Sequence, residues 1–269
     1  MTSLTLTAAD SATMLRRNLK HQLRYPSLTL MLAGFPIVFL LLFVYVFGGQ
    51  LGSGLGANGE PHSDRSAYLT YVVPGILIVT VASAALGTAI SVAIDMTEGI
   101  IDRFRTMSIT RAAVLTGHVV GSLLQTLAVL VLVTGVALAL GFRPTANAPQ
   151  WLAAAGILLL FAFALIWLSA ALGLAAKSVE TASNTPMFLT LLPFLSSGFV
   201  PTETMPAGLR QFAAYQPFTP VTQSVRGLLT GNPVGVHAAA AVAWSLGITL
   251  ASYLWALHLY NHRRAADPK

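Results

Sequence analysis

The chain has 269 residues, of which 55% are hydrophobic and only 9% are charged, with a formal net charge of +6 and no cysteine. Soluble domains carry about 25% charged residues, so this composition excludes an ordinary soluble protein. The lack of cysteine excludes disulfide frameworks and thiolate metal sites. Because the basic residues flank apolar runs, membrane lipids rather than nucleic acid are the expected partner.

Residues 1–27 are predicted to be a cytoplasmic leader that contains an interfacial amphipathic helix. Leucines recur every four residues on one helical stripe, and basic residues occupy the neighbouring stripe at Arg16, Lys20 and Arg24. A helix of this kind suits the plane of the lipid headgroups. The alternative is a solvated leader whose charges only fix the orientation of the chain.

Six apolar runs follow within a single transmembrane domain predicted over residues 28–262. The runs are Leu28–Phe47, Ala67–Ile94, Ala112–Phe142, Trp151–Ala176, Thr185–Val200 and Val236–Tyr260. Spanning a bilayer takes about 20 apolar residues, and five runs meet that length. The fifth carries two prolines and is long enough only if it extends over 182–202. The predicted fold class is therefore an all-α integral membrane protein with six transmembrane helices.

The distribution of lysine and arginine predicts the orientation of these spans. Eleven of them fall on one side of the predicted membrane and four on the other. The positive-inside rule then places both termini in the cytoplasm, including a tail over residues 263–269, together with the loop that begins at Thr97. An even number of spans agrees with this arrangement, because it keeps both termini on one side.

The loop between the second and third runs combines charged and apolar residues in a pattern typical of a short amphipathic helix that a soluble partner can hold. Thr97 can cap this helix. The apolar face would comprise Ile100, Ile101 and Phe104, and the charged contacts would comprise Glu98, Asp102, Arg103 and Arg105. The alternative is that the charges only fix topology, but the acidic residues argue against it, since topology requires only lysine and arginine. His118, shortly after this loop, is expected to be a hydrogen-bonded packing residue.

Two short helices are predicted between the fifth and sixth runs. Thr204 can cap the first and Thr219 the second, and Gly231 is a plausible stop. Each would hold about ten residues, or about 15 Å, which is half of what spanning requires. We therefore expect an outer re-entrant hairpin over 203–230, with a plain surface loop as the alternative. Glu203 is expected to pair with Arg210 or Arg226.

No Asp, Glu, Lys or Arg lies inside the six runs. This argues against ion-coupled transport and against an intramembrane hydrolase, and no catalytic residue or metal site is expected. The fifth run is the predicted wall of a pathway lined by apolar, aromatic and hydroxyl side chains, which suits a lipophilic or amphipathic cargo. Its predicted helical stripe comprises Phe188, Leu192, Ser196 and Phe199. Equally, this stripe could pack against the second run.

Two strings in the sequence carry a family resemblance. The first is Glu98-Gly-Ile-Ile-Asp-Arg-Phe-Arg-Thr-Met-Ser-Ile-Thr-Arg-Ala-Ala-Val-Leu-Thr-Gly117; the second is Phe199-Val-Pro-Thr-Glu-Thr-Met-Pro206, followed by Gln216-Pro-Phe-Thr-Pro220 and Arg226-Gly-Leu-Leu229. They resemble type-2 ABC transporter permeases, and in particular the daunorubicin-resistance permeases of actinobacteria. The likeness covers nearly the whole chain.

The resemblance implies an exporter in a bacterial plasma membrane. It further implies a cytoplasmic coupling helix in the loop after Thr97, an outer re-entrant hairpin, and a second permease chain in a homodimer or heterodimer. Two separate ATPase subunits would bind ATP and Mg, because this chain has no phosphate-binding loop. The cargo stays open among drugs, lipids, glycolipids and polysaccharides. The competing hypotheses are an ATP-independent secondary transporter or channel, and a non-transporting membrane scaffold.

Overall fold

A computed structural model describes residues 26–48, 63–97, 111–176 and 178–262. All regular secondary structure within these ranges is helical, as the predicted all-α class requires. The predicted leader helix, coupling helix and tail lie outside the described residues. The predicted site residues that fall there are Arg16, Lys20, Arg24, Glu98, Ile100, Ile101, Asp102, Arg103, Phe104 and Arg105.

The described residues form helices of very different lengths. They are α1 (Pro26–Leu41), α2 (Ser63–Thr97), α3 (Arg111–Ala139), α4 (Ala148–Ala175), α5 (Val179–Asn184), α6 (Met187–Leu191), α7 (Ala207–Tyr215), α8 (Phe218–Thr230) and α9 (Val236–His262). A π-helical turn over Leu42–Phe47 extends α1, and short 3₁₀ turns cover Leu192–Leu195 and Thr202–Thr204.

Four of these helices are long and apolar enough to cross a membrane. Their apolar parts are Ala67–Asp95, Thr116–Ala139, Ala148–Ala175 and Val236–Leu259. The shortest has 24 residues, which at about 1.5 Å per residue exceeds the ~30 Å of a hydrocarbon core. They correspond to the second, third, fourth and sixth predicted runs. The first run gives a shorter apolar helix over Leu32–Phe47.

The fifth run does not form one continuous helix. The run is divided between α6 and the 3₁₀ turn Leu192–Leu195, and its extension back to residue 182 overlaps the end of α5. Pro186 lies immediately before α6 and Pro193 in the first turn of the 3₁₀ segment. Proline has no amide hydrogen and its ring clashes with the preceding helical turn, so it interrupts helices at both points. The backbone is extended at Ser196, with φ −108° and ψ −179°. The predicted stripe along a continuous fifth helix is therefore wrong.

Helix α2 lies at the centre of the bundle and α9 at its periphery. In α2, 78% of the apolar window is buried, whereas in α9 only 22% is buried. The backbones of α2 and α4 touch where Gly173 meets Ala89, since a Cβ atom on the glycine would lie 2.6 Å from the alanine carbonyl oxygen. Small residues at such crossings permit close helix packing in membranes.

Helix α8 ends beside the connection between α3 and α4. The amide of Thr145 donates to the carbonyl oxygen of Leu229 at 3.1 Å. Gly231 takes a left-handed conformation with φ +70° directly after α8, which confirms the predicted stop. The end of the bundle where α3 and α8 end and α4 and α9 begin is called the hairpin end here. The other end, where α2 ends and α3 begins, is called the loop end.

The hairpin itself consists of α7 and α8, with nine and 13 residues. At about 1.5 Å per residue neither is long enough to cross a bilayer. The predicted caps are wrong in both helices. Pro206 precedes α7 and Pro217 precedes α8, neither helix has a side-chain cap, and Thr219 lies inside the first turn of α8.

Candidate functional site

Arg226, on α8, is a partly buried cation that donates its hydrogen bonds to backbone carbonyl oxygens. Its Nε and Nη2 atoms lie 3.3 and 3.2 Å from the Tyr71 oxygen. Nη2 also lies 2.7 Å from the oxygen of Ser197 and 3.4 Å from that of Gly198. The guanidinium carbon stacks 3.9 Å from the centroid of the Tyr71 ring. One side chain therefore joins α2, α8 and the segment that follows the broken fifth run.

The break in the fifth run explains why the carbonyl groups of Ser197 and Gly198 can accept bonds from Arg226. Backbone that leaves the helix at membrane depth loses its internal partners and is tolerated only where protein groups or water replace them. The irregular stretch begins at Ser196 and continues through Ser197 and Gly198. Arg226 and the hydroxyl of Tyr71 supply replacement donors, the latter to the Ser197 oxygen at 3.1 Å.

A direct backbone contact holds the same segment against α2. A Cβ atom on Gly75 would lie 2.7 Å from the carbonyl oxygen of Gly198 and 2.9 Å from its Cα atom. No side chain larger than hydrogen fits at Gly75 without displacing backbone. The close approach therefore depends on a glycine at this position in the first half of α2.

Two residues of the hairpin complete the connection. The Nε2 atom of Gln216 donates to the carbonyl oxygens of Leu195 and Leu192 at 2.6 and 3.4 Å. The Thr219 hydroxyl accepts from the Ser197 amide at 3.3 Å and donates to the Ala213 oxygen. The hairpin is thus bonded to the broken segment through Gln216 and through Thr219, which the sequence predicts as a helix cap. These contacts form a set of residues that we call the polar junction: Tyr71, Ser197, Gly198, Gln216, Thr219 and Arg226.

The expected ion pair of the hairpin does not form. Glu203 is exposed and accepts from the Thr202 hydroxyl at 3.4 Å, and Arg210 is exposed on α7. Within the described ranges no ion pair joins Glu203 to Arg210 or to Arg226. The reason is the inward position of Arg226, whose donors face carbonyl oxygens on α2 and on the broken segment.

The four residues predicted on the pathway stripe do not share one face. Phe188 is 51% exposed, whereas Ser196 and Phe199 are 1% and 5% exposed. Leu192 is partly buried against the core. The ring of Phe199 stacks on Phe43 of the π-helical turn, with centroids 4.7 Å apart. Half of the predicted stripe is therefore packed inside this chain, and only its beginning reaches the surface.

A second polar contact lies at the loop end. The Nε2 atom of His118 on α3 lies 2.9 Å from the Oδ2 atom of Asp95 on α2, and both residues are buried. The prediction that His118 is a hydrogen-bonded packing residue is thus confirmed. Its partner was missed, although an acid at the end of an apolar run is a usable signal. The pair joins the two helices that enclose the predicted coupling loop.

Long apolar helices, with these polar contacts near their ends, define a helical multispan membrane protein. Within the described residues, no group of three or more His, Asp or Glu side chains converges as a metal site would require. The model of the ABC-2 type transporter family matches residues 11–230, and the chain belongs to this family. It is accordingly a membrane subunit of an ABC transporter.

Relatives with assigned roles agree with this membership. The chain is 29% identical over 231 residues to the daunorubicin resistance ABC transporter permease protein DrrB1 of Streptomyces coeruleorubidus, covering 86% of this chain and 78% of the relative. It is 25% identical over 212 residues to the probable doxorubicin resistance ABC transporter permease protein DrrC of Mycobacterium tuberculosis, covering 79% and 75%. These relatives confirm the family resemblance found in the sequence.

Proposed function

We propose that this chain is the permease subunit of an ATP-driven exporter that moves a lipophilic or amphipathic cargo, such as a drug, lipid or glycolipid, out of the cytoplasm or the inner leaflet. The family match over residues 11–230 carries this proposal. The cargo class is inferred from the six apolar runs, which contain no Asp, Glu, Lys or Arg that could bind a charged cargo at membrane depth. Removing apolar cargo surface from water gains about 25 cal/mol per Å².

Energy for transport would come from a separate pair of ATPase subunits that bind ATP and Mg. The sequence contains no phosphate-binding loop of its own. The proposed contact is the loop after Thr97, with Ile100, Ile101 and Phe104 as its apolar face. Asp95 and His118 support this role, because their contact fixes the two helices that carry the loop.

A second permease chain, identical or different, would complete the transporter. The apolar windows of α3 and α9 are only 33% and 22% buried in the single chain. Such faces need lipid or another membrane helix as a neighbour. Both termini and the loop end would face the cytoplasm, since the positive-inside rule places the arginine-rich segments there.

The proposed cargo pathway follows the exposed side of α6 and the turn after it. Phe188, Leu191 and Leu195 are exposed there, whereas Ser196 and Phe199 are buried. Of the four pathway residues predicted from the sequence, the proposed pathway keeps Phe188 and the partly buried Leu192, and it omits Ser196 and Phe199. The outer hairpin would cover its far end, anchored by Arg226 through the polar junction.

Association with an ATPase tests the proposal directly. The full chain, solubilised and purified through a tag on its tail, should retain an ABC ATPase in stoichiometric amount. Neither a secondary transporter nor a scaffold requires such a subunit. A matched variant that carries both Arg103→Glu and Phe104→Ala should lose the ATPase while remaining inserted in the membrane. Purification of a transport-active chain without any ATPase would overturn the proposal.

A further inference from the structure

One edge of the Arg226 guanidinium borders an open cleft at the hairpin end. The cleft has a volume of about 220 Å³ and is lined by Ala67, Thr70, Tyr71, Arg226, Thr230 and Asn232. The carbonyl contacts of Arg226 use only its Nε and Nη2 atoms. Its Nη1 atom makes no hydrogen bond with any part of the chain that the structure describes. Two N–H donors therefore stay available on a charged group beside the cleft.

Among the described residues, the hydrogen-bond partners of Arg226 are all neutral. Carbonyl oxygens satisfy hydrogen bonds but carry no formal charge, and arginine stays protonated in proteins. Within the described ranges no carboxylate forms an ion pair with this guanidinium, and Glu203 remains exposed. A partly buried cation in a low-dielectric surrounding attracts an anion more strongly than an exposed one does.

Two residues that follow Arg226 in the chain, Thr230 and Asn232, also line the cleft and add a neutral donor to it. The Thr230 hydroxyl donates to the carbonyl oxygen of Arg226 at 2.8 Å and accepts from the Nδ2 atom of Asn232 at 2.9 Å. An amide group carries two N–H donors, and this bond uses one of them. The side chain of Asn232 is thus held in place beside the cleft with a second donor for a ligand.

The position of the cleft indicates which anion is available to bind there. The cleft is lined by Ala67 and Thr230. The apolar part of α2 begins at Ala67, and α8 ends at Thr230. The ends of apolar windows lie at the boundary between hydrocarbon and headgroups. The anion held at this depth in a bilayer is the phosphate of a phospholipid, and arginine suits phosphate because its planar fork donates several parallel bonds.

We propose that this cleft binds a phosphate group, supplied by a phospholipid headgroup, with Arg226 as the charged donor and Asn232 as a neutral one. The site needs neither an ATPase nor cargo, so its test is independent of the transport proposal. The bound headgroup would fix a lipid against the hairpin and α2. Free inorganic phosphate has the same chemistry and is the second source to be distinguished.

Native mass spectrometry of the full chain in a phosphate-free glycoside detergent tests this site. Titration with phosphatidylglycerol gives the apparent Kd of the first bound lipid. We expect Arg226→Gln and Asn232→Asp to raise that Kd at least tenfold. Arg210→Gln, which removes an exposed arginine of the same hairpin, should leave it unchanged. Because Arg226 also holds the polar junction, the exposed Asn232 provides the decisive variant should the arginine variant not fold.

A parallel titration with sodium phosphate separates the two sources. Displacement of the lipid only by other phospholipids, with no effect of millimolar inorganic phosphate, supports the headgroup assignment. Occupancy by inorganic phosphate without retention of phospholipid would overturn it. An unchanged Kd in folded Asn232→Asp, or an equal loss in Arg210→Gln, would overturn the site itself.

Discussion

Asp95 and His118 lie 2.9 Å apart at the loop end, on the two helices that enclose the predicted coupling loop. The contact crosses 23 positions of sequence and joins α2, the most buried spanning helix, to α3. Movement of the loop would therefore reach the bundle through both helices together. Breaking the pair should therefore weaken the mechanical link between the loop and the bundle.

The first prediction concerns this pair. Replacing Asp95 by Ala should lower stability by about 1–2 kcal/mol, since it leaves a buried imidazole without its partner. Export should fall more than ATP hydrolysis does, because the loop can still bind the ATPase. Ser91→Ala, at an exposed site near the same end of α2, is the control. Thermal unfolding and ATPase assays on the assembled transporter measure both effects, and equal losses in the two variants would refute the assignment.

The second prediction concerns the backbone contact between α2 and the broken segment. Gly75→Ala should destabilise the fold by about 1–3 kcal/mol, because the added methyl group overlaps the carbonyl of Gly198. Gly135→Ala and Gly156→Ala are matched controls in spanning helices, since a Cβ atom at either position meets nothing within 4 Å. Melting temperatures in detergent give the comparison. A Gly75→Ala protein as stable as the controls would show that the two backbones do not touch.

The spanning helices could be predicted from the sequence, whereas the structure of residues 185–200 could not. Apolar length predicted α2, α3, α4 and α9 because spanning depends on composition over about 20 residues. Pro186 and Pro193 signalled an interruption, but a proline does not specify where the chain turns afterwards. The contact from Arg226 to Tyr71 could not be predicted, since 155 positions separate them and the acceptors are backbone oxygens common to every residue.

The third prediction concerns the pathway along α6. The chain has no native cysteine, so single cysteines can be placed and labelled selectively. A small polar thiol reagent should label Phe188→Cys much faster than Ser196→Cys, because the first site is exposed and the second is buried. Cargo should protect position 188. Leu152→Cys, exposed near the start of α4, reports labelling away from the proposed pathway. Protection of both exposed sites alike would contradict the pathway.

The fourth prediction concerns the leader. Replacing Arg16, Lys20 and Arg24 by Gln should weaken binding to anionic membranes by about 1 kcal/mol per charge. Spin labels in the leader should then become more mobile in anionic bilayers, and assembly with the ATPase should fall. Exchanging the same three residues for other basic residues should have little effect. A leader that is equally mobile before and after neutralisation would exclude an interfacial helix.

The central claim is that ATP hydrolysis by a partner drives transport through this chain. The most direct measurement reconstitutes the chain with its ATPase in proteoliposomes and follows ATP-dependent movement of a fluorescent lipophilic cargo. We predict transport that requires hydrolysis and is abolished by Arg103→Glu with Phe104→Ala, while the variant chain stays inserted and as stable as the original. Full transport by that double variant, or transport that continues without ATP, would contradict the account.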